Sequence, residues 1–282
     1  MPQPINPITD RLYNNRAAVP DHQAIFARWR SQSAATRAAL VGNVNCHLNL
    51  HYGADAKQTV DLFPAIANRG LVVFIHGGYW RSLDKDDFSF LATPYIAEGI
   101  NVALINYRLC PQVGVSDIVD DCRNAIIWLA NHASEFSVRF DQTVLVGHSA
   151  GAHLVAMLFT TDWSAIKSEI SSAIIGGIAI SGLYDLEPLL ETTINHDVKL
   201  DVISAANLSP IHLQPTLNAS LDAVVGADET SEFIRQTELL PVAWPQLCLA
   251  IGILPAHNHF TIVDHFADPS SAAFKRSLAM FS

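Results

Sequence analysis

Six short, continuously apolar runs recur along the chain, at residues 71–75, 101–106, 143–146, 173–181, 221–225 and 246–253, mostly separated by segments of helical spacing. An apolar run without alternation marks a strand buried on both faces, and strands that alternate with helices build a parallel sheet covered on both sides. Helices are expected over 85–98, 116–136, 150–159, 231–240 and 271–280. Ahead of them, residues 22–40 place Ile25, Phe26, Trp29 and Ala34 at roughly helical spacing and predict an amphipathic flanking helix. Residues 45–52 and 58–63 alternate in polarity like an antiparallel hairpin at a sheet edge. Residues 183–217 are irregular, with Pro188, Pro210 and Pro215, and are expected to form a lid or cap over a site on the sheet edge. A chain of 282 residues, half hydrophobic and 16% charged, suits one α/β domain over 1–282.

Within this pattern the sequence Gly147-His148-Ser149-Ala150-Gly151 follows an apolar strand and opens a helix. That is the setting of a nucleophile elbow. The chain turns so sharply there that side chains beside the serine would collide, and the turn lifts the hydroxyl clear of the sheet. The bland alternative is a tight turn with a capping serine. A second glycine motif, His76-Gly77-Gly78-Tyr79-Trp80, follows the strand at 71–75, where a loop supplying oxyanion donors belongs. Gly77 and Gly78 are the candidate donors, with Ala150 adding an N–H from the elbow. His76, Tyr79, Trp80 and His148 are candidates to touch substrate, with packing as the competing role for the aromatic residues.

A serine hydroxyl needs a histidine to take its proton, and the histidine needs a carboxylate to fix its tautomer. In the serine-acid-histidine order, Asp228 follows the strand at 221–225 and is the first candidate acid, with Glu229 and Asp185 behind it. His257, His259 and His265 compete for the base in and just after the loop following 247–254, and chain order favours His259. His257 and His259 also read as metal ligands, but no acidic or cysteine partners complete a set, so neither a metal nor an organic cofactor is expected.

These motifs together resemble the kynurenine formamidase group of α/β-hydrolases. The likeness is carried by His76-Gly77-Gly78-Tyr79-Trp80, by Gly147 to Leu154, by Val225-Gly226-Ala227-Asp228 and by Asn258-His259-Phe260. It implies an α/β-hydrolase fold with Ser149 as nucleophile, Asp228 as acid, His259 as base, and Gly77 and Gly78 in the oxyanion loop. Members of that group cleave N-formylkynurenine, and several relatives are esterases of short acyl chains. A short-chain carboxylesterase on the same machinery is therefore the first alternative, and a hydrolase-fold protein that binds without catalysis is the second. A dinucleotide-binding protein is set aside, because no GxGxxG follows the first parallel strand.

The balance of 17 basic and 27 acidic residues gives a net charge of −10, which opposes nucleic acid and offers no basic patch to a membrane. The expected partner is a small-molecule substrate; a homo-oligomer is conceivable but has no signature. Four cysteines without CxxC spacing, and an N-terminus lacking an apolar leader core, point to the cytoplasm.

Overall fold

A computed structural model describes residues 3–41, 46–248 and 251–282. Eight strands form one sheet: β1 His47–His51, β2 Thr59–Phe63, β3 Gly70–Ile75, β4 Ile100–Ile105, β5 Thr143–His148, β6 Ile174–Ile180, β7 Ser220–Gly226 and β8 Ile251–Leu254. Their order is β1-β2-β4-β3-β5-β6-β7-β8. β2 is antiparallel to both neighbours, and β3 to β8 run parallel, as their unbroken apolar composition requires. This is the α/β-hydrolase architecture expected from the sequence. Asn45 of the expected hairpin, and Leu249 and Ala250 of the expected last strand, lie outside the described residues.

The helices in chain order are α1 Pro7–Tyr13, α2 Asn15–Ala18, α3 His22–Val41, α4 Ala92–Ala97, α5 Val115–His132, α6 Ala150–Phe159, α7 Trp163–Ile166, α8 Ser168–Ala173, α9 Asn195–Val198, α10 Val202–Asn207, α11 Ser231–Ala243, α12 Thr261–His265 and α13 Ala272–Ala279. One apolar cluster unites α5 and α6 with one face of the sheet, through Ile118, Ile126, Leu129, Leu154 and Leu158. The opposite face packs under α3, α12 and α13, through Phe26, Trp29, Ile262 and Phe274. The helix expected over 85–98 is split. Residues Lys85–Leu91 form a 3₁₀ segment and only Ala92–Ala97 is α-helical. Pro94 explains the break, since a continuous helix would drive its ring into the carbonyl four residues earlier.

The register aligns the functional ends of the strands. Ile75 pairs with Gly147, His148 with Ile180, Val224 with Ile180, and Gly226 with Leu254. The loops that leave β3, β5, β6, β7 and β8 therefore emerge along a single edge of the sheet, the place where ligands meet an open parallel sheet.

Candidate active site

The elbow is built by the turn from β5 into α6. Ser149 sits at φ 57° and ψ −120°, a conformation that strains any residue with a side chain. It is held by its N–H, which donates to Ile180 O at 2.8 Å, and by its C=O, which accepts from His153 N. The flanking glycines leave no room for a methyl group: a Cβ on Gly151 would lie 2.0 Å from Ile75 O, and one on Gly147 would lie 2.2 Å from Gly151 O. Ala150 is the first residue of α6, so its N–H has no carbonyl partner within the helix.

His259 reaches Ser149 from the loop after β8. Its Nε2 lies 3.0 Å from Ser149 Oγ, and its Nδ1 lies 2.6 Å from Glu229 Oε2. The loop is locked by Asn258, whose Oδ1 accepts from Phe260 N and Thr261 N. The ring is clamped between Phe233 and His148, with centroids at 4.4 and 4.8 Å. The His148 Nε2–H donates to the His259 carbonyl at 2.7 Å, and burial pushes the His148 pKa well below the usual histidine range, so the ring is neutral. α3 secures the loop from behind, with Phe26 edge-on to Phe260 and Trp29 Nε1–H donating to Asp264 Oδ1.

The carboxylate that meets His259 is one residue beyond the expected position. Asp228 is exposed and meets the loop only through its backbone, where its N–H donates to His257 O. The Glu229 side chain is fully buried instead. The reason lies in the turn after β7: the Glu229 N–H closes it onto Gly226 O, and Gly226 lies so close to His257 O that a Cβ would meet it at 2.1 Å. With the chain pinned there, the Asp228 side chain faces solvent and the longer Glu229 folds back. Its Oε1 accepts from Gly226 N at 2.7 Å and from Ser181 Oγ at 2.5 Å, which leaves Oε2 for His259. Asp185, the other alternative, pairs with Arg235. Of the rival histidines, His257 and His265 lie against each other at 4.6 Å. Among the described residues no group of three or more His, Cys, Asp or Glu is placed to hold a metal ion.

The chain has clear relatives among known proteins. Residues 64–201 match the family model described as BD-FAE. The chain is 31% identical over 232 residues to the kynurenine formamidase of Salmo salar, across 78% of this chain and 77% of the relative. It is 30% identical over 243 residues to the kynurenine formamidase of Danio rerio, across 83% and 81%. The chain belongs to the kynurenine formamidase family. A crystal structure of a candidate thioesterase from Silicibacter sp. TM1040 superposes with a TM-score of 0.83 at 33% identity, covering 93% of this chain and 96% of that one. Family membership makes the chain a hydrolase.

The remaining candidates of this formamidase-family chain separate into two groups. Gly78, Tyr79 and His148 line the cavity above Ser149. Gly77 stands behind them, close enough that a Cβ would lie 2.9 Å from the Ser149 Cβ. His76 and Trp80, expected as substrate contacts, are fully buried packing residues. His76 is stacked between Tyr107 and Phe88 and engages Asn106 Oδ1 through Nε2. Trp80 meets the edge of His153. The motif puts both near substrate, but His76 directly follows β3 and stays within the core, and the left-handed residues Gly78, Tyr79 and Trp80 (φ 108°, 52° and 56°) curl the loop so that the Trp80 ring is buried.

The cavity encloses about 630 Å³ of empty space, part of it open to solvent. Its roof is not the 183–217 segment alone, which contributes Thr193 and Ile194. Asp10, Tyr13, Asn14, Asn15 and Arg16, from the segment carrying α1 and α2, complete it. That segment is tied down by Tyr13 Oη–H to Glu232 Oε1, by Tyr79 Oη–H to Tyr13 O, and by Thr193 N–H and Oγ1–H to Asp10 Oδ1. A local signal for it was present in the sequence: Asn6 caps Ile8 N and Thr9 N, and Pro7 opens the helix, an ordinary start pattern. Among the described residues no helix is long and apolar enough to cross a membrane.

Proposed function

We propose that this chain is a serine hydrolase that removes a small acyl group from an aryl formamide such as N-formylkynurenine, through an acyl-enzyme on Ser149. The observation that carries the reading is the relay at the cavity floor, in which Ser149 Oγ, the His259 ring and the buried Glu229 carboxylate follow one another at 3.0 and 2.6 Å. Glu229 holds the tautomer with the proton on Nδ1, so Nε2 is free to accept the serine proton as Oγ attacks the acyl carbon. The negative oxygen that develops is met by backbone N–H groups at Gly78 and Ala150, with Gly77 allowing the two loops to approach so closely. His259 then donates the proton to the leaving amine, the acyl-enzyme forms, and water activated by the same ring releases the acid.

A short-chain ester is the second substrate class, favoured by the likeness to the candidate thioesterase and by chemistry that does not distinguish nitrogen from oxygen leaving groups. The enzyme acts in the cytoplasm on this reading, in keeping with four cysteines that form no disulfide. Formate release from N-formylkynurenine, measured beside p-nitrophenyl acetate hydrolysis, tests the assignment. A kcat/KM of about 10⁴ M⁻¹s⁻¹ or more for the formamide supports it. Ester turnover without formamide turnover moves the chain to the esterases.

A further inference from the structure

The cavity above Ser149 holds two guanidinium groups, and they differ in how their charge is met. Arg81 is paired with Asp197. Arg16, carried by α2, donates from Nη2 to Ser82 Oγ at 3.0 Å and lies 5.8 Å from the centroid of the Phe26 ring. Both of these partners are uncharged. Among the described residues no carboxylate pairs with Arg16, in a chain that carries ten more acidic than basic residues. Desolvation and then the neighbouring Arg81 charge lower its pKa from the ordinary arginine value, yet a guanidinium remains protonated. Arg16 is exposed at the mouth of this cavity, beside a second cation and without a carboxylate of its own, so its remaining N–H groups are open to an anion that enters.

Its position relates it to the reaction. Ser82, which receives the Arg16 hydrogen bond, passes its own Oγ–H to Gly78 O in the oxyanion loop. Arg16, Ser82, Gly78 and Ser149 line one continuous cavity. The planar fork of a guanidinium suits a carboxylate better than any other small organic anion, because two N–H groups meet two oxygens.

We propose that Arg16 recognises a carboxylate on the substrate, so that the cavity selects aryl formamides or esters that bear a carboxylate over counterparts that lack one. The proposal rests on the hydrolase reading of the same site and adds a specificity residue supplied by the N-terminal roof. A charge-assisted pair of this kind discriminates by tenfold or more.

The test uses p-nitrophenyl acetate hydrolysis as the readout and two inhibitors of the same shape: kynurenine, which bears a carboxylate, and its carboxamide, which does not. In the wild type the inhibition constant of the acid is expected to be at least tenfold lower than that of the amide. Arg16→Gln should shrink the ratio below about threefold, and Arg16→Lys, which keeps the charge but loses the fork, should leave an intermediate ratio. Equal inhibition by acid and amide in the wild type overturns the proposal, as does a preference that survives Arg16→Gln. A purely structural role, acting through Ser82 and Gly78, would weaken both inhibitors together and keep their ratio, which also counts against it. Failure to hydrolyse N-formylkynurenine would strike the proposed function and leave this comparison intact.

Discussion

Replacing Glu229 by Gln isolates the contribution of the buried carboxylate, because the shape is kept and only the charge and the donor pattern change. The Glu229 carboxylate accepts on both sides, from Gly226 N and Ser181 Oγ at Oε1 and from His259 Nδ1 at Oε2. A glutamine has one acceptor and one donor end. With its NH₂ toward His259 it forces the tautomer whose proton sits on Nε2, where it blocks proton transfer from Ser149. With its NH₂ toward Gly226 it sets donor against donor. Loss of an orienting carboxylate in such a relay costs about 10³ to 10⁴ in kcat, roughly 4 to 5.5 kcal/mol of barrier. Asp228→Asn, on an exposed side chain, should change kcat/KM by less than about twofold. Initial rates on p-nitrophenyl acetate, with circular dichroism to verify folding, provide the assay. A large loss in Asp228→Asn beside a small one in Glu229→Gln would refute the assignment of the acid.

Lys85 and Asp61 form a buried ion pair at 2.8 Å, both side chains at most 2% exposed, and Lys85→Met should destabilise the fold by about 3 to 5 kcal/mol in urea titration; a loss below about 1 kcal/mol would contradict the pairing argument. Gly151→Ala places a methyl group 2.0 Å from a backbone oxygen, and the variant is expected to be insoluble or inactive; a soluble, active variant would show that the elbow yields. His153 is buried with its pKa depressed to about 4, so the unfolded chain binds a proton that the folded one refuses as pH falls below about 6.5. Stability is thus complete above that pH and declines toward pH 4, by on the order of 2 kcal/mol at pH 5 from this residue alone. The melting temperature should fall between pH 7 and 5, and His153→Gln, which can still donate to Leu208 O, should flatten that slope; an equal slope in the variant would exclude His153 as a cause.

The parts of the fold set by local patterns were legible in the sequence. Apolar runs located β3 to β7 within a residue or two at most ends, and the glycines around Ser149 announced a turn that the backbone contacts at Gly147 and Gly151 make obligatory. The choice between Asp228 and Glu229 was different in kind. It depends on where His257 O presses on Gly226, a contact between β7 and a loop some thirty residues later, and no local pattern encodes it. The places of His76 and Trp80 differ from expectation for a related reason: a motif gives the neighbourhood of a side chain, while the end of β3 fixes His76 and the left-handed backbone at Gly78, Tyr79 and Trp80 fixes the Trp80 ring. The roof formed by α1 and α2 escaped because its anchoring partners, Glu232 and Thr193, lie far along the chain.

The assignment on which the proposed chemistry turns is Ser149 Oγ as the attacking atom. Its most direct test is treatment of the wild type and Ser149→Ala with an aryl phosphonate, followed by intact-mass and peptide mass spectrometry alongside residual activity. A single phosphonyl adduct is expected on the peptide carrying Ser149, formed in step with complete loss of turnover, with neither adduct nor turnover in Ser149→Ala. Turnover retained by Ser149→Ala, or inactivation of the wild type with the adduct on another residue, would contradict it.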